Sequence, residues 1–362
     1  MLTILHAADL HLDSPFRDLS GEQAALRRKE QRELPLRLAE LARERGADLV
    51  LLAGDLFDGE SIYRETAELM AAALAQTGCP VFIAPGNHDP ITGSSPYRGL
   101  VWPRNVHIFQ SRQVESVLMP ELGCVVYGTA FTAKQREDDP LNGFTAPKDG
   151  QIHIMVTHGD VGGRQYAPID PASIAASGLD YLALGHVHAC SGLQKEGETH
   201  WAYPGCPEGR GFDECGEKGA LLVQVDGEKA SAEFVPLCAR RYERLDAPVE
   251  GVSPRDAVAH ALEGHERDIC RVTLSGECAA APDLAALERE LGEKCFALSL
   301  RDRTTPVRDI WARAGEDSLT GLFLREMRSR VDETTDREDR ATLELAVRFG
   351  LAALERGEDC RP

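Results

Sequence analysis

Five short apolar runs within the first 188 residues each stop at a polar cluster of Asp, Asn, His and Gly. Leu2–Ala7 leads into Asp9-Leu10-His11, residues 48–53 into Gly54-Asp55, and residues 80–84 into Gly86-Asn87-His88-Asp89. Residues 152–157 end on His158-Gly159, and residues 181–184 on Gly185-His186-Val187-His188. Runs this short and this apolar read as strands buried on both faces. Helical patterns over residues 22–45, interrupted at Pro35, and over residues 62–76 separate the first three runs. Further strand signals lie at residues 124–128, 200–203 and 220–225. Strands alternating with helices predict an α/β fold, and open α/β sheets gather their ligands beyond the carboxyl ends of the strands. The polar clusters all fall at that end.

The residue types in those clusters are metal donors. On an extended backbone residues two apart point the same way, so Asp9 and His11 can face one ion. The two oxygens of Asp55 can bridge two cations. Asn87 offers an amide oxygen, His158, His186 and His188 offer imidazoles, and His88 stands beside them. This mixture of nitrogen and oxygen suits Mn²⁺ or Fe²⁺ better than Ca²⁺, and Mg²⁺ rarely takes so much imidazole. Taken singly, each cluster has a plainer reading: an Asp after a strand is commonly a turn or helix-cap residue, and Gly-Asn tolerates a left-handed turn. In this order they are the parts of a paired-metal site, a device that hydrolyses phosphate esters. The other histidines (His6, His107, His153, His200, His260 and His265) read as packing or surface residues.

At 362 residues the chain is long enough for two or three domains. The boundaries fall into a domain of residues 1–247, a small α+β cap of residues 248–314 and C-terminal helices over residues 315–362. Within the cap, residues 255–266 and 284–293 read as helices and residues 269–275 and 295–300 as strands. Beyond it, helices are expected at 318–330 and 337–354. Leu319, Leu322, Phe323 and Met327 fall at helical spacing there, as do Leu343, Val347, Leu351 and Leu354. Such stripes pack on their own domain or dock a partner. No apolar run approaches the roughly 18 residues of a membrane span. The first residues read as a buried strand and not a signal peptide, and the ten scattered cysteines, with no CxxC pair, read as reduced thiols of a cytoplasmic protein. The net charge of −19 argues against unaided DNA binding, which needs phosphate neutralisation. Contact with nucleic acid would have to come from local patches, bound metals or a partner protein.

The order DxH, GD, GNHD, H, GHxH resembles that of the calcineurin-like metallophosphoesterases across residues 1–247. Within that superfamily, Ala8-Asp9-Leu10-His11-Leu12-Asp13-Ser14 and Gly54-Asp55-Leu56-Phe57-Asp58 are similar to the DNA-repair exonucleases of the SbcD type, in the YhaO-like branch. Tyr203-Pro204-Gly205-Cys206-Pro207-Glu208-Gly209-Arg210 and Gly216-Glu217-Lys218-Gly219 add to the resemblance. It implies a metallophosphoesterase β-sandwich flanked by helices (αββα), with a small α+β cap domain and C-terminal helices. It also implies one metal on Asp9, His11, Asp55 and His188, and another on Asp55, Asn87, His158 and His186, with Asp55 bridging. His88 would then face the scissile phosphate and protonate the leaving oxygen or stabilise developing charge. Asp89 would orient His88 or support the turn.

One position departs from the pattern. Asp58 stands where several relatives carry histidine, which removes an imidazole near the phosphate and puts there a carboxylate expected to hinder substrate approach. The implied activity is a Mn²⁺-dependent DNA exonuclease or endonuclease serving an SMC-like coiled-coil ATPase in DNA repair, with a second copy of the chain as another candidate partner. Two other readings remain at this level: a phosphodiesterase or phosphatase acting on a small phosphate ester, and a non-catalytic scaffold.

Overall fold

The computed structural model describes residues 1–59, 62–227, 229–307 and 309–356. The chain begins with β1 (Leu2–Ala7), α1 (Gly21–Arg32), α2 (Leu34–Glu44), β2 (Leu49–Leu52), α3 (Arg64–Leu74) and β3 (Val81–Ile83). Next come β4 (Val106–Ile108), β5 (Glu115–Met119), β6 (Cys124–Gly128), β7 (Ile152–His158), β8 (Asp160–Val161) and β9 (Pro168–Ile169). Then follow α4 (Pro171–Ala176), β10 (Tyr181–Gly185), β11 (Gln194–Glu196), β12 (Thr199–Ala202), β13 (Gly219–Val225) and β14 (Ala230–Pro236).

These strands form two six-stranded sheets, ordered β14-β13-β1-β2-β3-β4 and β11-β12-β10-β7-β6-β5. β1 to β4 run parallel, as do β12, β10, β7 and β6; the remaining neighbours are antiparallel. The apolar runs are buried on both faces because a second sheet covers the inner one. Ile4, Leu51 and Phe82 of the first sheet share a core with Val126, Ile154, Val156 and Ala183 of the second. The alternate residues Leu5, Val50, Leu52 and Ile83 point the other way, onto Leu38, Leu41, Met70 and Leu74 of α2 and α3. On the far side Met155, Leu182 and Leu184 pack with Ile174 of α4 and Leu179. The result is the helix-flanked sandwich.

Local rules explain the ends of these elements. Ser20 and Gln23 form a reciprocal capping box at the start of α1. The break expected at Pro35 comes two residues earlier, because proline fits the first turn of a new helix, α2, where no N–H is needed. In β1, His6 faces inward and is fully buried, and its ring reaches Tyr181 and the Leu184 carbonyl on the opposite sheet.

Beyond β14 lie β15 (Tyr242–Pro248), α5 (Pro254–Ala261), β16 (Ile269–Cys278), α6 (Leu284–Leu291), β17 (Ala297–Pro306), α7 (Leu319–Glu333) and α8 (Arg337–Arg356). The chain divides into two compact units. One comprises Met1–Leu245, Ala259–Val272 and Ala285–Leu300; the other comprises Asp246–Val258, Thr273–Leu284 and the chain from Arg301 onward. Within the first, Ile269 packs with Phe212 and Tyr242. Within the second, Ser318 caps α7 by accepting the Gly321 N–H, and Arg348 of α8 pairs with Glu277 at 2.6 Å. Leu324, Val331 and Val347 are buried, whereas Leu319 and Leu322 are exposed. Among the described residues no helix is long and apolar enough to cross a membrane.

Candidate metal centre

The loops that follow β1 and β2 continue to pair after the strands end. The Asp9 N–H donates to the Gly54 carbonyl at 3.0 Å and the His11 N–H to the Asp55 carbonyl at 2.9 Å. This path requires positive φ at Asp9 (55°), His11 (44°) and Asp55 (51°), and His186 lies at 113°. Asp and His are among the non-glycine residues that tolerate such backbone best. The glycines serve close approach: a Cβ on Gly86 would strike the Asp55 carboxylate, and one on Gly185 the Ala53 carbonyl. Asp89 is fully buried and accepts from the N–H groups of Gly86, Leu56 and Phe57 and from the Tyr97 hydroxyl. It therefore ties the loop after β3 to the loop after β2; orienting His88 is not its task.

Two groups of donor atoms meet at Asp55. In the first, His11 Nε2 and His188 Nε2 approach to 3.2 Å. Asp9 Oδ1 lies 4.0 and 3.7 Å from those two nitrogens, and Asp55 Oδ2 lies 3.8 Å from His11 Nε2. In the second, His158 Nε2 lies 3.0 Å from Asn87 Oδ1 and 3.3 Å from Asp55 Oδ2. The remaining Asp55 oxygen accepts the His88 backbone N–H at 2.8 Å. His186 is adjacent, its ring centroid 5.2 Å from that of His158, and its N–H holds the Asp9 carboxylate at 3.0 Å. Among the described residues its ring nitrogens join none of the tight donor clusters. The His88 side chain is 44% exposed, with its ring 4.8 Å from that of His11.

The proton assignments make the case for cations. A carbonyl only accepts, so His158 donates its Nδ1 hydrogen to Ala53 O at 2.8 Å. His11 Nδ1 faces Asp58 Oδ1 at 3.1 Å and His188 Nδ1 faces Glu214 Oε1 at 2.7 Å, so both donate there. The Nε2 atoms of His11 and His188 are left with lone pairs, and these crowd together beside the Asp9 carboxylate. Burial pushes His11 down to about 4 and raises the Asp9 pKa. Burial also disfavours charge on His158 and Asp55. Their mutual attraction outweighs it, lifting His158 to about 9 and holding Asp55 well below the carboxylate range. Acceptors this close need a shared positive charge. The set of imidazole nitrogens, carboxylates and one amide oxygen fits a pair of divalent cations sharing Asp55.

Three residues outside the expected ligand set surround the first donor group. Arg210 Nη1 donates to Asp58 at 3.1 Å and its Nη2 to Glu214 at 2.9 Å. The Asp58 carboxylate, expected to hinder a phosphate, is thus covered by a guanidinium and occupied by His11. No sequence signal joined these three: Asp58 is far from Arg210 along the chain, and Glu214 falls in a loop without periodicity. Asp58 also lines two clefts. One of about 420 Å³ is lined by Asp13, Ile62, Ser94 and Lys134, and one of about 380 Å³ by Phe16, Arg17, Arg210 and Asp213. Cys206 is fully buried, as a packing residue would be.

A helix-flanked sandwich with two donor groups sharing one carboxylate is the frame of a metal-dependent phosphoester hydrolase. The family model for calcineurin-like phosphoesterases matches residues 2–190, just over half of the chain, and the chain belongs to that family. The uncharacterized metallophosphoesterase YhaO of Bacillus subtilis is 35% identical over 247 residues, covering 64% of this chain and 60% of that relative's length. The DNA double-strand break repair protein Mre11 of Methanopyrus kandleri is 24% identical over 383 residues, covering 96% of this chain and 81% of that protein. The SbcD component of the nuclease SbcCD of Escherichia coli is 25% identical over 296 residues, covering 68% of this chain and 69% of that one.

Proposed function

We propose that the chain is a Mn²⁺-dependent DNA exonuclease or endonuclease. The observation that supports this most is the pair of donor groups sharing Asp55, with the half-exposed His88 imidazole beside them. One cation would be held by Asp9, His11, Asp55 and His188, the other by Asp55, Asn87, His158 and His186. When bound, the two cations supply Lewis-acid polarisation of the phosphoryl group and a nucleophile available at neutral pH. The protein residues do the rest. Asp55, fixed by the His88 N–H and by its loop pairing with His11, sets the spacing between the two groups. Asp9, held by the His186 N–H, and His11, held by Asp58, would face the same cation. The His88 ring leans on Asp58 through Nδ1, 3.5 Å from its carbonyl and 4.0 Å from its carboxylate, which leaves Nε2 to donate a hydrogen bond to a phosphoryl oxygen or a proton to the leaving oxygen.

DNA as substrate is supported by the names of the Mre11 and SbcCD relatives, which describe a repair protein and a nuclease component. In this reading residues 1–247 form the nuclease domain, residues 248–314 a cap, and residues 315–362 helices that dock an SMC-like coiled-coil ATPase. That partner would supply the DNA grip that a chain of net charge −19 lacks. The enzyme would work in the cytoplasm, where its free thiols stay reduced.

The test is incubation of the metal-loaded protein with end-labelled duplex and single-stranded DNA and Mn²⁺. Release of nucleotides or short fragments is expected, and its absence refutes the nuclease reading. The acidic charge favours one other reading, hydrolysis of a small phosphodiester or monoester. Turnover of cyclic nucleotides or simple monoesters with DNA untouched would establish it.

A further inference from the structure

The imidazoles of the two donor groups are supported in different ways. His158 donates its Nδ1 hydrogen to a neutral carbonyl, Ala53 O, and His186 rests against the Tyr166 ring at 5.2 Å. His11 and His188 donate instead to carboxylates, those of Asp58 and Glu214. One guanidinium spans the two carboxylates, with Nη1 of Arg210 on Asp58 and Nη2 on Glu214. Nη2 also lies 3.1 Å from His188 Nδ1, but the 2.7 Å contact of that nitrogen with Glu214 assigns its hydrogen to the carboxylate. The chain His11, Asp58, Arg210, Glu214, His188 closes on itself through the 3.2 Å approach of the two Nε2 atoms.

We propose that Asp58, Arg210 and Glu214 form one positioning clamp that aims the Nε2 atoms of His11 and His188 at a single cation and makes that site the tighter of the two. The proposal rests on the reading of the site as a dimetal centre. An imidazole whose Nδ1 hydrogen faces a carboxylate is a more basic ligand, with a more fixed ring, than one facing a neutral carbonyl. Two carboxylates placed this close repel each other and any anionic substrate. Arg210 offsets both, and only the planar guanidinium fork reaches two carboxylates at once in a fixed geometry. Arg210 and Glu214 are 20% and 7% exposed, so salt screens the contact little. Asp58 and Arg210 therefore act as a matched pair: neither has its present role without the other.

The test is calorimetric titration of the metal-free full-length chain with MnCl₂. The wild type takes up two equivalents of unequal affinity. Asp58→Asn and Glu214→Gln keep side-chain volume and should each weaken the tight equivalent by about 10–100-fold while leaving the weak one within about twofold. Arg210→Lys keeps the charge, loses the fork, and should weaken the same equivalent. General loosening of the fold would not produce that selectivity, and circular dichroism of each metal-free variant checks that the fold is kept. Equal weakening of both equivalents, or no change in either, overturns the clamp. A wild type that takes up no Mn²⁺ overturns the dimetal reading beneath it.

Discussion

Replacing His6 by glutamine should flatten the acid side of the stability curve. The His6 ring lies between the sheets, with Nδ1 2.8 Å from the Tyr181 hydroxyl and Nε2 3.2 Å from the Leu184 carbonyl. The carbonyl can only accept, so Nε2 carries the hydrogen and Nδ1 accepts from Tyr181. Every polar atom is satisfied by the neutral ring. A second proton would bury a charge and face the tyrosine donor, and burial accordingly drives the pKa from 6.5 down to about 3, against the smaller opposing pull of the Leu184 carbonyl. A depressed pKa on a base means that the unfolded chain binds the extra proton first. His6 therefore leaves stability intact above about pH 6.5, and its contribution is lost as the pH falls from there towards 3. The loss approaches about 1.4 kcal/mol per pH unit below pH 6 and amounts to about 2 kcal/mol between pH 6.5 and 4.5. Glutamine can donate to Leu184 and accept from Tyr181 without titrating. Urea unfolding at pH 7.5, 6.5, 5.5 and 4.5 in the presence of chelator, followed by circular dichroism, measures both proteins. The advantage of wild type over His6→Gln should shrink by about 2 kcal/mol across the last two pH units. A difference independent of pH would refute the buried, neutral assignment.

Three further outcomes are expected. His88→Ala should lower phosphodiester turnover by about 10²–10⁴-fold while elemental analysis finds the metal content unchanged; a loss of metal would make His88 a ligand. Asp55→Ala should remove both metal equivalents, and full retention of either contradicts its shared position. Glu208 is buried against Arg27 at 2.6 Å, so Glu208→Gln should destabilise the fold by about 3–5 kcal/mol in urea titration, with much of this regained in Arg27→Met/Glu208→Leu.

What could be read from the letters follows burial. β1, β2, β7 and β10 were legible because sheets or helices cover both faces, leaving uninterrupted apolar runs. β5 and β14 were not, because they are edge strands whose alternate residues meet solvent and whose sequences mix Glu, Ser and Ala with apolar residues. β15 was missed for a related reason: its pattern is broken by Glu243 and Asp246. The residues of the two donor groups were legible because each sits at the end of such a run. The joint role of Asp58, Arg210 and Glu214 was not, because their partnership exists only after two distant loops have been brought together. Asp89 was half legible: its place after Asn87 and His88 was plain, but its four hydrogen bonds depend on Gly86, Leu56, Phe57 and Tyr97.

The left-handed backbone at Asp9, His11 and Asp55 bears on which sequences could ever occupy this site. A chelating position there answers to two demands at once, an oxygen or nitrogen at the right reach and a main chain wound against the usual hand. Aspartate, asparagine and histidine satisfy both at small expense. Glutamate carries the same charge but has a longer arm and less ease with that winding, so Asp9→Glu or Asp55→Glu is a more drastic exchange than its chemistry implies. The restricted alphabet at these strand ends is therefore set by the path of the main chain as much as by the ions.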